Sequence, residues 1–250
     1  PAFLVYEELV NHNIQEILKL CEAPNRIVPH FKTHKSVEVL KLQMEAGMTS
    51  FKCSTLREAE ILAENGVTEI IIAYPLVHPK KIERFVNLTQ RHSDISCKLI
   101  ISKHEHLKPL SDAFTSHNIE VGVYIDLDTG MHRTGAQPGK EASELYHNAA
   151  HTAGINVIGV HVFDGHTLYK PNYLERKALV DKSLEYIYDL WESAIGHGHK
   201  VLDTLVASSW SFQAYLGLEG IRVSPGTWIY WDSRNSTMTE LPFKISAVVL

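Results

Sequence analysis

The sequence predicts an α/β fold, a (β/α)8 TIM barrel, on three observations. Short apolar runs alternate with longer helix-patterned runs eight times over roughly 230 residues, the size of one such barrel. The run Ile70-Ile71-Ile72-Ala73 is continuously apolar, as a parallel strand buried on both faces requires. No Asn-Gly pair joins two strand-like runs, so hairpins do not organise the chain.

The elements follow in order. Leu9, Ile14, Ile17 and Leu18 form one stripe and predict a helix over 6–20. A turn at Pro24-Asn25 leads to the first strand, which ends in Val28-Pro29-His30-Phe31-Lys32-Thr33-His34-Lys35. Val37, Leu40 and Met44 predict the next helix, ended by Gly47. Strand 50–54 precedes a helix capped by Thr55 and ended by Asn65-Gly66. Strands 69–74, 97–102 and 120–127 alternate with helices 79–90, 105–116 and one framed by Gly139 and Gly154. Strand 157–163 leads to a long helix over 173–195, with Val180, Leu184, Ile187 and Trp191 on one face. Strand 204–207, a short helix over 212–218 and strand 221–229 complete the eight. The apolar run 243–250 reads as a strand without a turn signal. The expected division is a barrel over residues 1–240, with 241–250 starting a C-terminal β-domain largely absent from this chain.

Composition narrows the function. With 44% hydrophobic and 21% charged residues, a 250-residue chain buries its core without staples. A net charge of -5 argues against a nucleic-acid or anionic-membrane partner. No apolar run reaches the roughly 18 residues of a membrane span. Cys21, Cys53 and Cys97 are widely spaced and show no zinc pattern, so no metal ligands are assigned here. Buried, reduced thiols in a cytoplasmic protein are expected.

In a barrel, chemistry gathers after the strands. A lysine there can be desolvated and form an imine with a carbonyl group, which singles out Lys32 beside His30 and His34. The plainer reading is a solvated loop. Ser208, Ser209 and Ser211 precede a helix start, and Gly226-Thr227 follows the eighth strand, a pattern suited to a phosphate. The serines could equally cap that helix. Arg133 lies on a loop beside glycines and can reach an anionic oxygen, or pair at the surface. Phe163 can stack on a flat ring or belong to the core. Together these features fit pyridoxal 5'-phosphate (PLP). His166, Tyr169 and His30 are placed to act as a further acid or base.

Residues 29–35 resemble the Pro-His-x-Lys-Thr-His-Lys signature of the D-threonine aldolase and D-serine dehydratase family, fold-type III PLP enzymes related to alanine racemase. Asp128-Thr129-Gly130-Met131-His132-Arg133-Thr134-Gly135 is similar to a run of that superfamily, and Ser224-Pro225-Gly226-Thr227-Trp228 resembles its phosphate segment. The similarity takes in Thr55 to Glu60 and Ala73-Tyr74-Pro75, and so spans nearly the whole chain.

The resemblance implies that Lys32 carries a Schiff base, with Lys35 the alternative, and that Arg133 bonds the cofactor's phenolic oxygen. Gly226 and Thr227 would bind phosphate through their amides, helped by Ser208, Ser209 or Ser211, in a loop where relatives are Gly-rich. Phe163 would pack on the pyridine ring, where relatives more often carry His or Tyr. Ser224 falls near the pyridine nitrogen, where alanine racemase has an arginine. A neutral serine leaves that nitrogen freer to be protonated, favouring aldol cleavage or β-elimination over racemisation. The implied activity is a PLP-dependent lyase on D-3-hydroxy amino acids in a homodimer. A divalent metal would be held by the C-terminal domain. An amino-acid racemase or a non-catalytic PLP-binding protein are the alternatives.

Overall fold

The computed structural model describes residues 2–250. Seven strands form one parallel sheet in chain order: β2 (Ser50–Cys53), β3 (Glu69–Ile72), β4 (Ser96–Ile101), β5 (Val121–Leu127), β6 (Ile155–Val162), β7 (Asp203–Val206) and β8 (Ile221–Val223). The segment 27–30 closes them into a barrel. It bridges β8 through Ile27 and Val223 and β2 through His30 and Lys52. The Val28 N–H donates to Val223 O at 2.9 Å, and the Lys52 N–H donates to Pro29 O at 2.9 Å. This eighth stave is no continuous ladder, because Pro29 has no N–H to give.

Helices α2 (Val37–Glu45), α3 (Leu56–Glu64), α4 (Pro79–Arg91), α5 (Leu107–Ser116), α6 (Lys140–Ala150) and α7 (Tyr173–Gly196) follow successive staves. Several of their starts carry a side-chain cap, that of α3 as the sequence indicates. Thr55 Oγ1 accepts the Glu58 N–H at 3.1 Å, while the Glu58 carboxylate accepts the Ser54 N–H at 2.8 Å. Ser36 caps α2 and Asn172 caps α7 in the same way. Helix α1 (Glu7–Cys21) packs Val10, Ile14 and Ile17 inward. No helix among the described residues is long and apolar enough to cross a membrane.

Three expectations change. The eighth strand ends at Val223 rather than at 229, because Ser224-Pro225-Gly226 breaks the ladder and residues Thr227–Ile229 turn as a 3-10 helix. The helix expected over 212–218 is one 3-10 turn, Phe212–Tyr215. The run 243–250 contributes only β9 (Ala247–Val249), which pairs antiparallel with an unexpected strand β1 (Phe3–Val5) in a separate sheet.

Because side chains alternate along each strand, one set faces the helices and the other fills the barrel. The isoleucines of β3 divide in this way. Ile70 and Ile72 join the sheet–helix core, while Ile71 meets Val28, Ile100, Tyr124 and Leu205 inside. Below that apolar layer lies a charged plug. Arg222 bonds Asp203, Glu69 and the Tyr124 hydroxyl, and Lys98 pairs with Glu69. Above it, at the C-terminal ends of the strands, the interior is polar again with His30, Lys52, Ser102, Asp126 and His161. That layer is the floor of the site.

Candidate active site

A cleft of about 240 Å3 opens over this floor, lined by residues that include Lys32, Arg133, Phe163, Ser209, Ser224, Gly226 and Thr227. A narrower pit continues down from it to Lys52 and His161, and His30, Lys32, Arg133 and Phe163 line both.

Lys32 stands on the 3-10 turn Phe31–Thr33 that follows the first stave. Its Nζ lies 5.4 Å from the centre of the Phe163 ring. Burial, then the Arg133 guanidinium, push its ammonium below the usual lysine range, with Glu58 opposing. A lysine so placed is readied as a nucleophile. Lys35 is not its rival. Its side chain is 60% exposed and leans 3.4 Å from Glu58 Oε1, away from the cleft. His30 is held neutral by burial first and then by Lys52 and Lys32. Its Nδ1 faces the Lys32 N–H at 3.4 Å.

Arg133 is delivered by a pinned loop. Asp128 accepts the N–H groups of Gly130 and His132, each at 3.0 Å, and contacts His132 Nδ1 at 3.0 Å. Gly135 closes the loop at φ +105, and a Cβ there would stand 2.5 Å from the Asp128 nitrogen. The Arg133 guanidinium then sits 4.7 Å from the Phe163 ring centre and 5.2 Å from that of Tyr74.

Another part of the cleft lining suits an anion. The N–H groups of Gly226 and Thr227 both donate to Ser209 Oγ, at 3.1 and 2.9 Å. Two backbone donors converging on one oxygen are what a phosphate oxygen needs. Gly226 has no room for a side chain, since a Cβ would meet Thr33 Oγ1 at 2.5 Å. Ala207 before this loop lies at φ 85, the left-handed conformation that glycine adopts freely. The chain therefore keeps the shape expected of a Gly-rich loop without the glycine.

Not every expected residue reaches the cleft. Ser211 points away: its Oγ donates to Asp164 Oδ1 at 2.6 Å, and it braces the loop instead of lining the cleft. Ser208 lines the cleft and is tied to the same carboxylate, its N–H donating to Asp164 Oδ1 at 2.8 Å. Ser224 donates its hydroxyl to Val28 O at 2.6 Å, which leaves its oxygen lone pairs toward the cleft. Trp210 lines the cleft without filling it and stacks against Arg234. Tyr169 is 75% exposed and lines neither cavity. His166 lies against Gly130, off the lining, with a buried Nδ1 that has no partner.

Apart from His30, the floor was not anticipated from sequence. Lys52 is 1% exposed and makes no ion pair among the described residues. Burial, then the charge of Lys32, lower its ammonium to about 7, against the attraction of Asp126 and Asp164. Beside it, His161 Nδ1 lies 2.6 Å from Asp126 Oδ1, and Asp126 Oδ2 accepts the Ser102 hydroxyl at 3.0 Å. That arrangement places the ring proton on Nδ1 and leaves Nε2 bare, buried and unpartnered. Burial holds the imidazole below its usual range, with Asp126 opposing. The only sequence signal is three polar residues inside otherwise apolar runs.

Residues 7–232 match the family model described as "Alanine racemase, N-terminal domain". A 3-hydroxy-D-aspartate aldolase of Paracoccus denitrificans (strain Pd 1222) is 24% identical over 79% of this chain and 51% of that protein. A D-threo-3-hydroxyaspartate dehydratase of Delftia sp. (strain HT23) is 26% identical over 93% of this chain and 61% of its own length. The chain thus spans about half to three fifths of these relatives. The crystal structure of D-threonine aldolase from Filomicrobium marinum superposes with a TM-score of 0.91 at 23% identity, over 99% of this chain and 68% of that one.

Proposed function

Because the chain belongs to the alanine racemase N-terminal domain family, we propose that it is the cofactor-binding barrel of a PLP-dependent lyase acting on D-3-hydroxy amino acids. One observation carries the reading. Lys32, its ammonium held below the usual lysine range, and the Gly226–Thr227 amide pair open into the same cleft.

The residues fit the cofactor. Ser209 Oγ occupies the point where a phosphate oxygen would accept both amides. Lys32 Nζ would hold the cofactor's aldehyde carbon, Arg133 would face its phenolic oxygen, and the Phe163 ring would flank its pyridine. Ser224 Oγ, already donating to Val28 O, has only acceptor capacity left for a protonated ring nitrogen. Bound there, the cofactor supplies the electron sink for breaking a bond at the substrate's α-carbon. As a free amine beside the bound substrate, Lys32 Nζ would be able to accept and return a proton. His161 Nε2 would accept a proton at the cleft floor, with Asp126 fixing its tautomer and Lys52 as the adjoining donor. Phe163 and Trp210 line the cleft with apolar ring surface.

Several finer points belong to the same proposal. Residues 1–240 are proposed as the cofactor domain and 241–250 as the start of another; β9 lies outside the barrel sheet and pairs with β1 from the N-terminal segment. A divalent metal held by a C-terminal domain would assist at the substrate hydroxyl, and the enzyme would be a cytoplasmic homodimer.

The named relatives include both an aldolase and a dehydratase, and one substrate distinguishes them. With D-threonine and the cofactor-loaded full-length protein, an aldolase releases glycine and acetaldehyde. A dehydratase releases 2-oxobutanoate and ammonia, and a racemase, inverting only the α-carbon, gives L-allo-threonine. Either of the first two results supports the lyase. Epimerisation alone, or no product from D-threonine, D-serine or D-3-hydroxyaspartate, overturns it.

A further inference from the structure

At the opposite end of the barrel, three histidines from two elements meet. His147 and His151 stand four residues apart near the end of α6, so they share one helix face. His199 comes from the loop between α7 and β7. Their ligand-capable nitrogens all lie within 4.8 Å of one another. His147 Nδ1 and His199 Nε2 are 3.1 Å apart, close to the roughly 3.3 Å edge of a tetrahedron with zinc–nitrogen bonds of about 2.0–2.1 Å.

The cluster is oriented from behind. His151 Nδ1 donates to His147 O at 2.8 Å, so its free lone pair is on Nε2. The His199 ring stacks on Tyr146 at 6.0 Å between centres, and the Tyr146 hydroxyl donates to Lys200 O at 2.7 Å, holding the loop. His197 stands 5.2 Å from the His147 ring but turns its Nδ1 to Ser193 O at 2.7 Å, so the set is three histidines and water would complete it.

We propose that His147, His151 and His199 form a binding site for a divalent transition-metal ion, with zinc the ion it fits. The donors are all imidazole nitrogens, which suit zinc, nickel or copper, and no carboxylate joins them as magnesium or calcium would require. Because strand starts carry structural rather than catalytic roles in a barrel, the ion staples α6 to the α7–β7 loop and takes no part in the reaction.

The test uses this chain without an affinity tag, stripped with EDTA and titrated with zinc chloride in competition with a chromophoric chelator. One tight equivalent is expected, with a rise in Tm and no change in the spectrum of the cofactor-loaded protein. His151→Ala and His199→Ala should each weaken binding at least tenfold and abolish the Tm rise, while circular dichroism stays unchanged. Replacing zinc with cobalt should give the visible bands of a tetrahedral nitrogen site in the parent and not in these variants. Several weak equivalents, or binding that survives both substitutions, would overturn the proposal.

Discussion

His161 Nδ1 lies 2.6 Å from Asp126 Oδ1, and this contact determines which nitrogen faces the cleft. With the proton held on Nδ1, Nε2 is a bare acceptor beside Lys52. Asp126→Asn would offer the ring an amide in place of a carboxylate and free the other tautomer. Turnover should fall about 10²–10⁴-fold, the span of a lost acid–base group. Cofactor affinity should stay within a factor of a few, read by fluorescence titration. Full activity in this variant would remove the dyad from the chemistry.

Lys52 exchanges stability for function. Its ammonium is lowered from 10.5 to about 7, chiefly by burial. Between those values the unfolded chain binds a proton that the folded chain gives up. The lysine's contribution to stability therefore rises as pH increases through that window and is constant below it. Lys52→Met removes the penalty. The cofactor-free variant should gain on the order of a few kcal/mol near pH 7 and progressively less toward the alkaline end. That gain raises Tm by several degrees, while turnover of the loaded protein falls. Thermal melts across the window check the sign.

These two residues also mark where sequence reading stops. Lys32, Arg133, Phe163 and the Gly226–Thr227 amides were legible because they follow strands, and their loops carry recognisable spacing. Lys52, Asp126 and His161 lie inside strands. In a closed barrel both faces of a strand are buried, so alternation alone does not say which face is the interior. Ser211 was misassigned for a related reason. Its hydroxyl direction is set by Asp164, which is 47 residues away in sequence. The His147 and His151 spacing was visible, but their meeting with His199 depends on how α6 packs against α7.

The amide cradle makes a steric prediction. Gly226→Ala would place a methyl 2.5 Å from Thr33 Oγ1 and 3.4 Å from His30 Cβ, moving the turn that carries Lys32. Cofactor affinity should fall roughly 10–100-fold, the equivalent of the 1–3 kcal/mol that overpacking costs. Equilibrium dialysis reads the change. Unaltered affinity would place the phosphate elsewhere.

Arg133→Lys keeps the charge but loses the planar fork that lies between Phe163 and Tyr74. The protein should still load cofactor, with a shifted visible spectrum and kcat/KM lower by about 10–100-fold. An unchanged spectrum would mean that the guanidinium does not face the cofactor.

Two lysines face the cleft, and the central claim is that Lys32 alone takes the cofactor. The direct measurement is borohydride reduction of the cofactor-loaded protein, followed by peptide mapping. The expected result is a bleached visible band and one stable adduct on Lys32, absent from Lys32→Ala. An adduct on Lys52, or label scattered over surface lysines, would contradict it.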